Sequence, residues 1–168
     1  MPRVHVAPLS RIQDVTDQTG ARDLVTLINV GTPVARPGAI ERHLFIGMSD
    51  ILEDYDGHVA PGETHVTQLL AFVRAWDRRA PVIIHCWAGV SRSTAAAFVT
   101  VCALNPARDE RDVAQALRKA SPTATPNLRF VTIADALLGR EGRMRAAIAE
   151  IGRGEDCFEG TPFALEIG

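Results

Sequence analysis

No apolar run in this sequence approaches the roughly 18 residues that a membrane span requires, so membrane insertion is not expected. The opening stretch, Met1 to Ser10, lacks the long apolar segment of a secretory leader. An excess of one charge is missing as well: the formal net charge is −2, which gives no electrostatic reason to expect nucleic acid as a partner. Cysteine is scarce. Cys86, Cys102 and Cys157 are too few and too unevenly spaced for a disulfide framework, and no CxxC or Cys/His metal pair occurs. These absences point to a cytoplasmic chain with reduced thiols, and neither a metal nor another cofactor is predicted. Lysine is nearly absent, Lys119 standing alone among arginines; we read this as genome composition of the kind GC-rich bacteria show.

What is present fits one ordinary domain. The 168 residues are 46% apolar and 23% charged, enough to bury a core and typical of a globular protein. Residues 1–168 are read as a single domain, with a core over about 24–138 and a C-terminal helix and irregular tail over 139–168. Arg3–Val6 suggests a short edge strand, followed by a helix from Ser10 to about Thr19. Leu24–Val30 and His43–Met48 are apolar runs rich in strand formers, the first closed by Gly31 and Pro33. Val66, Leu69, Leu70, Val73 and Trp76 recur at helical spacing, and Pro81–His85 reads as a buried strand. Helices are predicted over Ser91–Leu104, from an N-cap at Asp109 to Ala120, over Asn127–Leu138 and over Glu141–Ile151. Strands alternating with helices imply an α/β fold: a central, mainly parallel β-sheet flanked by helices.

The chemistry concentrates in Val82-Ile83-Ile84-His85-Cys86-Trp87-Ala88-Gly89-Val90-Ser91-Arg92-Ser93-Thr94. A buried strand delivers Cys86 to the carboxyl edge of the sheet, where α/β proteins place ligands. The loop Trp87, Ala88, Gly89, Val90, Ser91 can curl with its N–H groups inward, as an anion cradle, and Gly89 allows the turn. Arg92 then opens a helix whose N-terminus favours a dianion, and its planar guanidinium can hold two phosphate oxygens. That positive surrounding favours the thiolate form of Cys86. The same spacing recurs at Cys102 and Arg108, but there no strand precedes, no glycine intervenes and Pro106 removes an amide donor. That second match is read as an accident.

The first stretch resembles the signature of the protein tyrosine phosphatase superfamily: His-Cys, five residues, Arg, then Ser or Thr. More loosely, the resemblance runs from Leu24 to Leu138. The order of elements and the segment Pro126-Asn127-Leu128-Arg129-Phe130 look like the compact dual-specificity branch. The resemblance implies a metal-independent phosphomonoester hydrolase. Cys86 would be the nucleophile, Arg92 and the loop amides the phosphate ligands, and Ser93 the hydrogen-bond partner of the sulfur. His85 would orient the loop from beneath. The general acid it implies is an aspartate upstream; Asp50 is favoured, with Asp54 and Asp56 as competitors on the same loop.

Other residues carry plainer readings. Cys102 and Cys157 are expected to be inert packing residues, and His5, His43, His58 and His65 ordinary surface or core residues. Trp87 is expected to turn from the phosphate and pack the loop or wall the pocket. Asn127 could bond neighbouring site loops or cap a helix. Arg143, Arg145 and Arg153 read as a solvated face. Two other functions compete: a rhodanese-like sulfurtransferase, and a catalytically weak phosphate-binding module. The loop interior offers no basic side chain beyond Arg92, which favours singly phosphorylated substrates, on a protein or a small molecule. Phosphate, sulfate or vanadate would occupy the loop.

Overall fold

Each of the three parallel strand pairings joins strands separated in sequence by a crossover, and a single five-stranded sheet results. The computed structural model describes residues 2–168. In chain order the elements are β1 (Arg3–Pro8), a 3-10 turn over Leu9–Arg11, α1 (Ile12–Thr19), β2 (Asp23–Ile28), β3 (Arg42–Gly47), α2 (Glu63–Arg74), β4 (Val82–Cys86), α3 (Arg92–Leu104), α4 (Glu110–Ala120), α5 (Leu128–Leu137), α6 (Arg143–Ile151) and β5 (Phe163–Glu166). The strand order is β3-β2-β4-β1-β5, parallel except for β5.

Two expectations need correction. β1 is an interior strand: it pairs with β4 on one side and with β5 on the other. The tail is not wholly irregular, because Phe163–Glu166 runs antiparallel along β1 and so covers that edge. Only four residues long, with a partner at the opposite end of the chain, β5 offers little local pattern.

The two faces are covered unequally. α1 lays Ile12 and Val15 over Ala7, Leu24 and Ile83 on one face. On the other, the larger core joins Val25, Leu27, Val82 and Ile84 to helix residues that include Phe98 and Phe130. Burying a side chain such as Phe98 fully contributes on the order of 2–3 kcal/mol. Helix α3 is buried from Arg92 to Cys102, and the small side chains of Ala95, Ala96 and Ala97 let it lie close to the strands. Asp109 caps α4 as predicted, its side chain accepting from the Arg111 N–H.

Because the first four strands are parallel, their carboxyl ends meet at one edge. Pro8 lies opposite Cys86 and Ile28 opposite Gly47, so the segments that follow β2, β3 and β4 share that edge. Among the described residues, no helix is long and apolar enough to cross a membrane.

Candidate active site

The segment leaving β4 is shaped by where its carbonyl groups go. The Leu9 N–H donates to the Trp87 carbonyl (3.0 Å), Gly160 to Ala88 (2.7 Å), Thr125 to Val90 (2.9 Å) and Asn127 to Ser91 (3.1 Å). The His85 ring holds the Cys86 carbonyl at 3.1 Å. Three separate segments of the chain, together with the His85 ring, thus hold these carbonyls outward. In a planar trans peptide the next N–H points the opposite way, toward the Cys86 side. The Gly89 N–H shows the result, standing 3.3 Å from Cys86 Sγ. Gly89 has φ +70°, in the left-handed region that glycine enters without strain.

Cys86 ends β4 and is 2% exposed. Ser93, in the first turn of α3, stands with Oγ 3.1 Å from its sulfur. The α3 N-terminus directs its partial positive charge at the same space. His85 is fully buried and, mainly because burial disfavours its charged form, its pKa is pushed down to about 4; the ring is neutral at neutral pH.

Arg92 is 7% exposed. Its Nη1 donates to Asn29 Oδ1 (2.6 Å) and to the Met48 carbonyl (2.9 Å), which fixes the guanidinium from behind. Its Nε, by contrast, is buried and makes no hydrogen bond among the described residues. The Nε–Nη2 edge is the face that can hold two anion oxygens side by side. A buried, unpartnered cationic donor calls for a ligand. Asn29 was not among the residues read from the sequence. Its signal is positional: it follows β2, beside β4, at the sheet edge where sites form.

Asp50 reaches the loop from the segment after β3. Its Oδ1 accepts from the Ser91 hydroxyl (2.7 Å) and from Asn127 Nδ2 (2.9 Å). Asn127 serves both roles read for it, because its Oδ1 also caps α5 by accepting from the Phe130 N–H (3.0 Å). Asp54 instead pairs with Arg129 at 3.0 Å, with its side chain out in solvent. Asp56 is exposed and does not line the cavity.

These groups border one cavity of about 650 Å³, lined by Asn29, Asp50, Cys86, Trp87, Ala88, Val90, Ser91 and Arg92 among others. Trp87 walls it, edge-on to Phe158 with ring centroids 5.3 Å apart. Cys157, read from the sequence as a packing residue, is exposed and lines this same cavity. Cys102 is buried as expected, and its burial pushes the thiol up to about 12. The tail therefore completes the site, through Gly160 on the loop and Phe158 on Trp87, and nothing in its composition signalled this.

Comparison with known proteins bears on the family and the fold. The family model described as protein-tyrosine phosphatase matches residues 53–123. No curated protein matches the sequence. Among solved structures, DUSP15 is similar with a TM-score of 0.65 and 20% identity, over 93% of this chain and 96% of that one. A mouse putative dual specificity phosphatase, solved in complex with zinc tungstate, gives a TM-score of 0.63 and 18% identity over 86% of each chain. A human tyrosine phosphatase-like serine/threonine/tyrosine-interacting protein gives 0.64 and 16% over 82% of this chain and 92% of that one. The fold thus resembles that of the compact dual-specificity phosphatases along most of the chain, and residues 53–123 match the protein-tyrosine phosphatase family model.

Proposed function

We propose that the chain hydrolyses phosphate monoesters through a phospho-cysteine intermediate on Cys86. The observation that carries this reading is the loop around the sulfur: carbonyls anchored outward, amides turned inward, and the unpartnered Nε of buried Arg92 beside them. Such a cradle suits a tetrahedral dianion. The mouse relative was solved with tungstate, an oxyanion of that shape.

In the first step Cys86 Sγ attacks phosphorus, the S–P bond forms and the P–O bond to the leaving group breaks. Asp50 gives its proton to the departing oxygen. The loop amides and Arg92 hold the three equatorial oxygens through the transition state. In the second step a water attacks phosphorus and yields its proton to Asp50; the S–P bond breaks, and inorganic phosphate and the Cys86 thiolate are released. The Ser93 hydroxyl, 3.1 Å from the sulfur, stabilises that thiolate as it leaves. Asp50 is preferred as the acid because it faces the cavity, whereas Asp54 is occupied by Arg129 and Asp56 stands away. Among the described residues, Arg92 is the single basic side chain lining the cavity. That favours singly phosphorylated groups, on a protein or a small molecule, over polyphosphorylated ones.

The test is hydrolysis of para-nitrophenyl phosphate with a chelator present. Wild type should turn over, Cys86→Ser should lose at least about a thousandfold in kcat, and Asp50→Ala should lose more on poor leaving groups than on good ones. A wild-type chain that binds vanadate without turnover would leave only a phosphate-binding module. Turnover that survives in Cys86→Ser would overturn the mechanism.

A further inference from the structure

Three polar side chains sit where the sheet would ordinarily bury apolar ones. Thr26 on β2 and His85 on β4 are opposite each other in register and both fully buried. His43 on β3 lies opposite Leu24, one diagonal step from Thr26, close enough for side chains to touch. By strand alternation all three share the face of Leu24 and Ile83, the one covered by α1. Thr26 Oγ1 is 2.6 Å from His43 Nε2 and 2.7 Å from His85 Nε2.

The protons in this chain admit one arrangement. A carbonyl oxygen only accepts, so His85 Nδ1, 3.1 Å from the Cys86 carbonyl, must carry a proton and donate it. The ring is neutral, so its Nε2 is bare and must accept. Thr26 has a single hydroxyl proton, which therefore goes to His85 Nε2. Its oxygen must then accept from His43 Nε2–H. Every bond points the same way, from His43 through Thr26 and His85 to the Cys86 carbonyl, and bonds so aligned polarise one another.

We infer that Thr26 and His43 are positioning residues: they hold His85 in the Nδ1–H form, which pins the peptide between Cys86 and Trp87. That peptide is planar and trans. With its carbonyl held down by His85, its N–H end, the Trp87 amide, is turned up into the anion cradle. Without the Thr26 proton, His85 is free to move its own proton to Nε2. Its Nδ1 lone pair would then face the Cys86 carbonyl oxygen, and the peptide would be released. The consequence for turnover rests on Cys86 being the nucleophile; the proton arrangement itself does not.

Nitrogen-15 NMR of the wild-type imidazoles should find His85 protonated at Nδ1 and bare at Nε2. Thr26→Val, which keeps the side-chain shape and removes the hydroxyl, should slow iodoacetamide alkylation of Cys86 near neutral pH, followed by peptide mapping, about tenfold. The kcat/KM on an aryl phosphate should fall by a similar factor, while Thr26→Ser restores both. His43→Phe should cost only about threefold, because Thr26 can still donate. A wild-type His85 protonated at Nε2 would overturn the inference. So would a folded Thr26→Val protein with unchanged alkylation and kcat/KM. If Thr26→Val does not fold, the wild-type tautomer decides the matter. A wild type that alkylates as expected but turns over no phosphate would sink the proposed activity and leave the positioning role standing.

Discussion

Cys86 and Cys102 are both buried and each stand six positions ahead of an arginine, Arg92 and Arg108, yet the two stretches differ in their surroundings. The residue before the cysteine is the buried His85 in one and the apolar Val101 in the other. Three places after it comes Gly89 at φ +70° in the first and Asn105 at φ −132° in the second. The Cys86 stretch opens a helix, with its amides unspent. The Cys102 stretch closes one, where the free groups are carbonyls, and Arg140 Nη2 satisfies the Cys102 carbonyl at 2.7 Å. Helix polarity alone therefore separates an anion site from a helix end. At Cys102 burial pushes the thiol up to about 12, which keeps it protonated.

The sharpest way to press this contrast is to make the same change in both arginines. Arg92→Lys keeps the charge but loses the Nε–Nη2 fork and the two bonds to Asn29 and Met48. We expect kcat/KM on para-nitrophenyl phosphate to fall about a thousandfold. Arg108 only ties down the tail, donating to the Glu166 carbonyl at 2.7 Å. Arg108→Lys should leave kcat/KM unchanged and shift unfolding free energy by no more than about 1 kcal/mol. Equal losses in the two variants would mean that Arg92 acts through folding and not through an anion.

Much of this arrangement was legible in the sequence, for a physical reason. β4 and α3 announce themselves by an unbroken apolar run and a run of small residues, and the loop between them is local. Asp50 could be placed on the loop after β3, and favoured over Asp54 and Asp56, by position alone, but the contacts that Ser91 and Asn127 make with it were not legible there. What stayed hidden depends on distant partners. β5 pairs with a strand at the other end of the chain, Asn29 matters only through Arg92, and Thr26 and His43 look like an ordinary strand hydroxyl and an ordinary histidine until β2, β3 and β4 are laid side by side.

The histidine that precedes only one of the two cysteines should reveal itself in acid. His85 titrates at about 4 in the fold against an ordinary 6.5, chiefly because it is buried. Between those values the unfolded chain takes up a proton that the folded chain refuses, so stability falls as pH drops from 6.5 to 4 and this contribution levels off below. For a fully buried ring the loss is on the order of 3 kcal/mol. His85→Gln removes the titrating group, so its urea-unfolding free energy should decline less steeply over that range than the wild type's. Parallel slopes would show that His85 stays solvated enough to titrate normally.

The residue three places after each cysteine supplies the last and smallest contrast. A Cβ added at Gly89 would stand 2.8 Å from the Pro8 backbone nitrogen and 3.0 Å from the Ala7 carbonyl carbon. Those atoms belong to β1, which is held on both sides by β4 and β5, so nothing near them can swing away. The backbone there also sits at φ +70°, which alanine resists. Gly89→Ala must therefore move the loop, drawing the Gly89 N–H off the sulfur, and kcat/KM should drop about a hundredfold. Asn105→Ala, by comparison, deletes one 3.0 Å bond to the Ile167 carbonyl. It should cost about 1 kcal/mol of stability and no activity. If Gly89→Ala retained full kcat/KM, the inward amides would not be holding the reacting phosphate, and catalysis would have to rest on Arg92 and the α3 N-terminus alone.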